Sequence, residues 1–477
     1  MSSRSRGKLF IENFLIYGLG GAISKLVPLI MLPILTRLYP NAEYIGLNDL
    51  SNTFISFASA LAVCGMYDAM FRLFFDDKKL ENQKMICSTS LIFVTGLSIL
   101  LAAIGYVFRV QIAQIYFGDT KYEGLVVLTL IGFLLSATNQ IVSAPTRIQN
   151  KRAVFLVTNT LSPIISYAVA IPLVLQGYYV IAMPLATIVS ALTIEIAFLC
   201  LNHKFFTLSG FNKRKLIELL LIGLPLMPNF LVYWIYNSAD KVMITQILNN
   251  QMTGIYSVAS RIGHISNLIY TAFSGGWLYF AYSTMKDDDQ VKLKSNIFEY
   301  VSAISYISTA ILMLFSKLGF QLLFSEEYLQ GYIVAPYLFL SPLLLMMFQV
   351  IANQFTIIKK TYLNLLSLAA GALLNLLLNS ILIPIIGIEG AAIATTIGYI
   401  VSITICALIL IYKNLLYINK RFLFSSAIMI IYYFLWRFFL NSSLILNSIA
   451  LVVMIAVYVL LYKAEIKLIV KKVFRRI

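Results

Sequence analysis

The sequence predicts an all-α integral membrane protein of about fourteen transmembrane helices. They are arranged as two pseudo-symmetric six-helix lobes around a central cavity, with two further helices at the C-terminus. Three observations predict the spanning helices, and a weak internal repeat gives the two lobes. Of the 477 residues, 60% are hydrophobic and 12% charged, with a mean hydropathy of +0.86; a soluble domain carries about 45–50% apolar and about 25% charged residues. Apolar runs near the roughly 20 residues that cross a bilayer recur along the whole chain. Lysine and arginine alternate between rich and poor connections.

The spans fall near 10–35, 44–64, 85–108, 124–144, 153–173, 178–200, 216–240, 252–277, 297–316, 331–352, 362–383, 387–411, 421–440 and 443–462. The N-terminus MSSRSRGKLF is basic, and the run behind it is too long for a signal-peptide core, so it reads as a retained first span. With the N-terminus placed inside, 28 of the 36 lysines and arginines fall on inside segments. Six fall outside (Arg37, Arg109, Lys121, Lys241, Lys317, Arg437), and Lys25 and Arg261 lie within spans. That bias puts both termini in the cytoplasm and requires an even number of spans. It also accounts for the net charge of +16 without nucleic acid as a partner.

The longest connections are 65–84, 204–215 and 282–296, which leaves almost no room for a soluble domain. Cys64, Cys87, Cys200 and Cys406 lie in or beside apolar runs without paired spacing and read as small buried residues. The seventh span carries Gly223, Pro225 and Pro228, then Asn237-Ser238-Ala239-Asp240-Lys241 and the polar turn Asn249-Asn250-Gln251. Prolines this close break a helix in water. In a membrane they are tolerated beside neighbouring helices or a water-filled cavity.

The chain also repeats itself weakly. ISYAVAIPLVLQGYYVIAMPLATIVS (165–190) matches LNLLLNSILIPIIGIEGAAIATTIGYIVS (374–402), each with a helix ending at a proline (Pro172, Pro384) and a glycine turn (Gly177, Gly387). Gly18 through Gly46 matches Gly223 through Gly254, ending in PNAEYIG and NNQMTG. Two parallel six-helix halves give such offsets, dividing the chain into 1–203, 204–412 and a C-terminal 413–477 with a basic tail. Internal repeats are a common transporter plan, with the substrate site between the halves.

Several stretches carry a family resemblance: GLPLMPNFLVYWIYNSADKVMI, the following Gly-Ile-Tyr-Ser, LNLLLNSILIPIIGIEGAAIAT, and the N-terminal NFLIYGLGGAISKLVPLIMLPILTRLYP. The chain resembles Wzx-type polysaccharide flippases of the superfamily that includes multidrug (MATE) exporters and the peptidoglycan lipid flippase. The resemblance implies a fourteen-helix, two-lobed transporter of the bacterial inner membrane. Its substrate would be an undecaprenyl-pyrophosphate-linked oligosaccharide for O-antigen or capsule. Its partners would be that lipid, membrane lipids, a polysaccharide polymerase and a chain-length regulator.

Charge inside a bilayer is costly, which makes intramembrane ions the functional candidates. Lys25 lies roughly 22 Å above the inner face, Asp49 roughly 10 Å below the outer face and Arg261 roughly 14 Å below it. Lys25 and Arg261 stand where pyrophosphate-lipid flippases of the superfamily carry cations, and phosphate suits both chemistries. A salt bridge of Lys25 with Asp49, or an interhelical or snorkelling role for Arg261, are the plainer alternatives. Asp49 is a charge partner or an ion-coupling site. His264 lies on the same helical face as Arg261 and is a proton acceptor or a packing residue. Asn229, Tyr233 and Trp234 are candidate sugar contacts, or interhelical glue and interfacial aromatics. Asp240 and Lys241 form a rim or gate pair. Glu195 reads as interfacial, and Glu12, Glu218, Glu299 and 287–289 as solvated or headgroup-level charges.

No metal or nucleotide motif is present, so no cofactor is expected. The energy source is an ion gradient (H+ or Na+), the membrane potential or substrate flow. A MATE-like cation exporter is the alternative transporter. A membrane glycosyltransferase or polymerase is the enzyme alternative, and it would need larger outer loops than these.

Overall fold

The computed structural model describes residues 26–76, 79–465 and 467. Every regular element among them is helical. Among the described residues eleven helices are long and apolar enough to cross a membrane, and a pair bent by 46° passes the same test when its two helices are taken together. The chain divides into two compact units, 1–258 with 379–388 and 259–378 with 389–477.

The first unit begins with α1 (Leu26–Leu38), the described part of the first expected span. Then come α2 (Glu43–Val63), α3 (Met66–Phe74), α4 (Leu80–Val107), α5 (Arg109–Phe117), α6 (Glu123–Ile148), α7 (Arg152–Leu175) and α8 (Ala182–Asn202). The α2–α3 bend turns on Cys64 and Gly65, both with positive φ. The core gathers Leu47, Leu50, Ala62, Phe133 and Ile141 from α2 and α6 with Ile86 of α4. Some buried polar groups bond helix to helix, as a low-dielectric setting favours. The Asn202 amide donates to Val142 O (2.9 Å) and Thr146 Oγ1 (2.8 Å), tying α8 to α6.

The seventh expected span is continuous over 35 residues (Lys213–Ile247) but changes helical type along its length. α9 (Lys213–Gly223) passes through a 3₁₀ turn (Leu224–Leu226) into α10 (Met227–Trp234), then through a π-helical turn (Ile235–Ala239) into α11 (Asp240–Ile247). Pro225 and Pro228 occupy the second positions of their segments, within the first turn, where a missing N–H costs least. α9 packs on α3 and α4, and α10 on α2, within the first unit. The eighth expected span is α12 (Asn250–Gly263), a 3₁₀ turn (His264–Ser266) and α13 (Asn267–Ser283). The boundary between the units falls inside α12.

The second unit continues with α14 (Gln290–Leu323), α15 (Gly331–Ile357), α16 (Tyr362–Ile386), α17 (Ile388–Tyr412), α18 (Lys420–Leu435) and α19 (Leu444–Leu461). Polar bonds again join the helices. Trp436 Nε1 donates to Met313 O (3.0 Å), Tyr432 OH to Asn447 Oδ1 (2.7 Å) and Tyr458 OH to Ser425 O (2.7 Å). Arg437 holds Glu389 through two parallel bonds, Nε–Oε1 at 2.6 Å and Nη2–Oε2 at 2.8 Å. Outward faces are apolar, as at Ile430, Phe434, Ile445 and Leu460.

Some expectations need correction. The connections after residues 65 and 109 are not plain loops: α3 and α5 lie in them, too short and mixed in composition to register as spans. The repeat helices run past their prolines, α7 to Leu175 and α16 to Ile386; the stops are Gly177 (φ 89°) and Gly387 (φ 66°). Left-handed glycine is a common helix stop. Cys200 is exposed, unlike the other three cysteines. Glu299 is fully buried rather than solvated.

The Glu389–Arg437 fork gives a stability prediction. Arg437→Ala is expected to cost about 2 kcal/mol, less than the roughly 3–5 kcal/mol of breaking a fully buried pair, because the Arg437 side chain is still 30% exposed. Thermal unfolding in detergent measures it, and E389Q/R437Q should recover part of the loss.

Candidate functional site: a seam between α2 and α9–α12

α2 carries an unusual polar content for a spanning helix, LNDLSNTFIS. Gly46, Asp49, Thr53 and Phe57 recur at intervals of three and four and so share one face. That face meets the α9–α12 segment. Asp49 Oδ2 lies 2.7 Å from Lys241 Nζ, with the two side chains only 11% and 13% exposed. Trp234 Nε1 donates to Thr53 O at 3.2 Å, and the indole packs on Phe57 with ring centres 4.7 Å apart. Asp240, next to Lys241, is buried and faces elsewhere: it accepts the Tyr256 hydroxyl and, at 2.8 Å, the Lys241 N–H. The π-turn just before Asp240 inserts extra backbone into the helix, a device common at functional positions.

Both ends of the seam are backbone against backbone. A Cβ on Gly46 would lie 2.3 Å from Asn250 O, and a Cβ on Gly254 would lie 1.8 Å from Ala42 O. Each glycine thus rests on the carbonyl four residues before the other. At the other end a Cβ on Gly65 would lie 2.4 Å from Gly223 O, and one on Gly223 2.4 Å from Cys64 O. The α11–α12 turn is further fastened to α5. Gln246 Nε2 donates to Ile115 O (2.7 Å), Asn250 Nδ2 to Phe117 O (2.8 Å), and Thr245 and Thr253 share a 2.7 Å bond. A polar recess of about 500 Å³ lies here, lined in part by Glu43, Gln114, Asp119, Gln246 and Asn249.

The structure distributes the expected site residues unevenly. Asp49 and Lys241 come together, a pairing the sequence did not suggest. Lys25 lies outside the described residues. Arg261 is half-buried on α12 in the second unit, and His264 Nδ1 is 3.3 Å from Ser260 Oγ one turn back. Asn229 and Tyr233 are half-buried on α10. Trp234 is committed to Thr53 and Phe57. Among the described residues no three of His, Cys, Asp and Glu gather as a metal site would require.

Three groups escaped sequence reasoning. Glu195 is buried, with Oε2 unpartnered. Lys294, counted as a loop cation, is 1% exposed inside α14, its Nζ 3.4 Å from both Asn353 Oδ1 and Gln354 Oε1. Glu299 is bound by Arg421 and Asn419. The first and last lie within five residues of an expected span end, where hydropathy cannot separate interface from interior. Lys294 gave no signal at all.

Comparison with known proteins follows the fold. The family model described as polysaccharide biosynthesis protein matches residues 34–331. No curated protein matches significantly in sequence. Among solved structures, the chain is similar to the lipid II flippase MurJ in an inward closed conformation: TM-score 0.74, 15% identity, 95% of this chain and 100% of that one. An inward-facing MATE multidrug transporter of the MOP superfamily gives TM-score 0.58, 16% identity and coverage of 82% and 98%. A MOP-superfamily transporter from Pyrococcus furiosus, described as having a binding pocket of reversed polarity, gives 0.53, 18% identity and coverage of 85% and 95%.

Two predictions follow from the seam. In a double-mutant cycle on thermal stability, Asp49→Asn and Lys241→Met should couple by about 1–3 kcal/mol, as contacting charges do; additive effects would mean that the pair is not formed. Gly254→Ala should part its end of the seam. A cysteine placed at Thr245, now buried, should then react with a water-soluble maleimide several times faster.

Proposed function

The chain belongs to the polysaccharide biosynthesis protein family, and from that premise we propose that it is a lipid-linked oligosaccharide flippase, a transporter and not an enzyme. It moves an undecaprenyl-pyrophosphate-linked repeat unit from the cytoplasmic to the outer leaflet of the bacterial inner membrane, for O-antigen or capsule. Both termini are cytoplasmic. A polymerase and a chain-length regulator act on the product.

The observation that favours this reading over cation export is the commitment of the acids along the seam. Asp49 is neutralised by Lys241, and Asp240 is occupied by Tyr256 and a backbone N–H. A cavity for organic cations needs carboxylates free to meet them. A diphosphate headgroup needs the reverse, since it cannot enter hydrocarbon unpaired. Lys25 and Arg261 supply that charge in this proposal, Arg261 as a planar fork and Lys25 as a point charge.

The seam supplies the alternation. α2 touches α9 at one end and α12 at the other, each through a glycine pair. Glycine contacts bury no side chain that must be re-solvated, so either end separates at modest cost. Parting one end while the other holds gives access from one side only. Asn229 and Tyr233 meet the sugar, and the lipid tail stays outside, against the apolar faces of α18 and α19. Asp240, held by Tyr256, and Lys241, held by Asp49, act as the gate residues. His264, or Asp49 when the cycle parts it from Lys241, couples the cycle to H+ or Na+.

The test is surface polymer in a strain that depends on this chain. Lys25→Ala and Arg261→Ala should each bring polymer below about a tenth of the wild-type amount at unchanged protein level. Normal polymer in both overturns the mechanism. Binding of a cationic dye by the purified protein, with no response to lipid-linked sugar, replaces it by drug export.

A further inference from the structure

A second site lies within the second unit, where the N-terminal ends of α14 and α18 meet the C-terminal end of α19. A recess of about 460 Å³ opens there, lined by Lys292, Asn296, Tyr300, Tyr417, Lys420 and Arg421, among others. Its back wall is built rather than incidental. Glu299, 1% exposed, accepts from Asn419 Nδ2 (2.6 Å) and lies 3.0 Å from Arg421 Nε. Arg421 Nη1 also donates to Glu465 (2.7 Å), and its guanidinium stacks over the Tyr462 ring at 5.3 Å. That bond holds the Glu465 carboxyl below its usual range. Ser295 Oγ accepts the Tyr417 N–H (3.0 Å), fixing the segment that leads into α18. Arg421 is therefore anchored before any ligand arrives.

The charges in front of that wall are unbalanced. Lys292 and Lys420 form no ion pair with any described residue. Each sits in the first turn of its helix; neither first turn holds an acid, although Asp289 caps α14 and the α18 cap, Asn419, donates to Glu299. A helix N-terminus carries about half a positive charge and stabilises acids, not lysines. Asp289 and Glu299 answer those two termini, and the two ammonium groups in front of them have no ion-pair partner among the described residues. An anion seated between the two ammonium groups offsets their mutual repulsion.

We propose that this recess binds the negatively charged phosphate headgroup of a lipid in the adjoining leaflet. The proposal does not depend on the flippase reading. Its chemistry has two sources, an anionic glycerophospholipid or a polyprenyl diphosphate, and the test separates them.

The purified full chain is titrated with dioleoylphosphatidylglycerol by native mass spectrometry, with dioleoylphosphatidylcholine as the zwitterionic control. The wild type should prefer phosphatidylglycerol. K292Q/K420Q should bind it at least tenfold more weakly, and the preference should shrink as salt rises. Arg421 is left in place because Glu299 needs it, and an unchanged melting temperature in the double variant shows an intact fold. Equal affinity in wild type and variant, or no preference over phosphatidylcholine, overturns the site. Undecaprenyl pyrophosphate is then added to the loaded wild type: displacement at equimolar amounts assigns the recess to diphosphate lipid, and retention of phosphatidylglycerol assigns it to phospholipid.

Discussion

An ammonium and a carboxylate held 2.7 Å apart among apolar helices, Lys241 and Asp49, set the terms for the rest of the first unit. Neither charge is tolerable there alone. Their pairing fixes the rotation of α2 about its axis, and with it the placement of Thr53 under Trp234 and of Gly46 against α12. It also fixes the direction of α11, so that the neighbouring Asp240 turns to Tyr256. The π-turn before Asp240 lets consecutive residues serve two different partners. Loss of the ion pair would thus be felt along the whole length of α2.

The second unit follows the same constraint with different chemistry. Its buried acids are each met by a guanidinium, Glu389 by Arg437 and Glu299 by Arg421, and both arginines stand on α18 or just after it. The C-terminal helices are therefore attached to α14 and α17 by directional bonds, not by apolar contact alone. Lys294 departs from the pattern, since only amide oxygens approach it.

Much of the fold was legible because bilayer-crossing helices announce themselves by length and apolarity, and the Gly177 and Gly387 turns by their residue type. What was not legible depended on partners distant in sequence. α3 and α5 have too few apolar residues to register as spans, yet Met66, Met70 and Phe74 are buried by helices more than a hundred residues away as well as by near ones. Asp49 was visible as a buried charge, but its partner Lys241 lay at what reads as an outer rim, because the polar NSADK sequence lowers hydropathy where the helix in fact continues to Ile247. The recess at Lys292, Lys420 and Arg421 looked like ordinary basic loop charge. Only the folding of three helix ends onto a buried Glu299 makes it a site.

The Gly46–Gly254 contact has a wider meaning. The two residues close the matched segments PNAEYIG and NNQMTG, and each lies on the carbonyl four positions before the other, at Ala42 and Asn250. A surface that recognises its own duplicate in this reciprocal way is what a twofold homodimer uses. A half-length ancestor carrying one copy of this motif would already have owned both sides of the joint, and duplication into a single polypeptide would have needed no new recognition there.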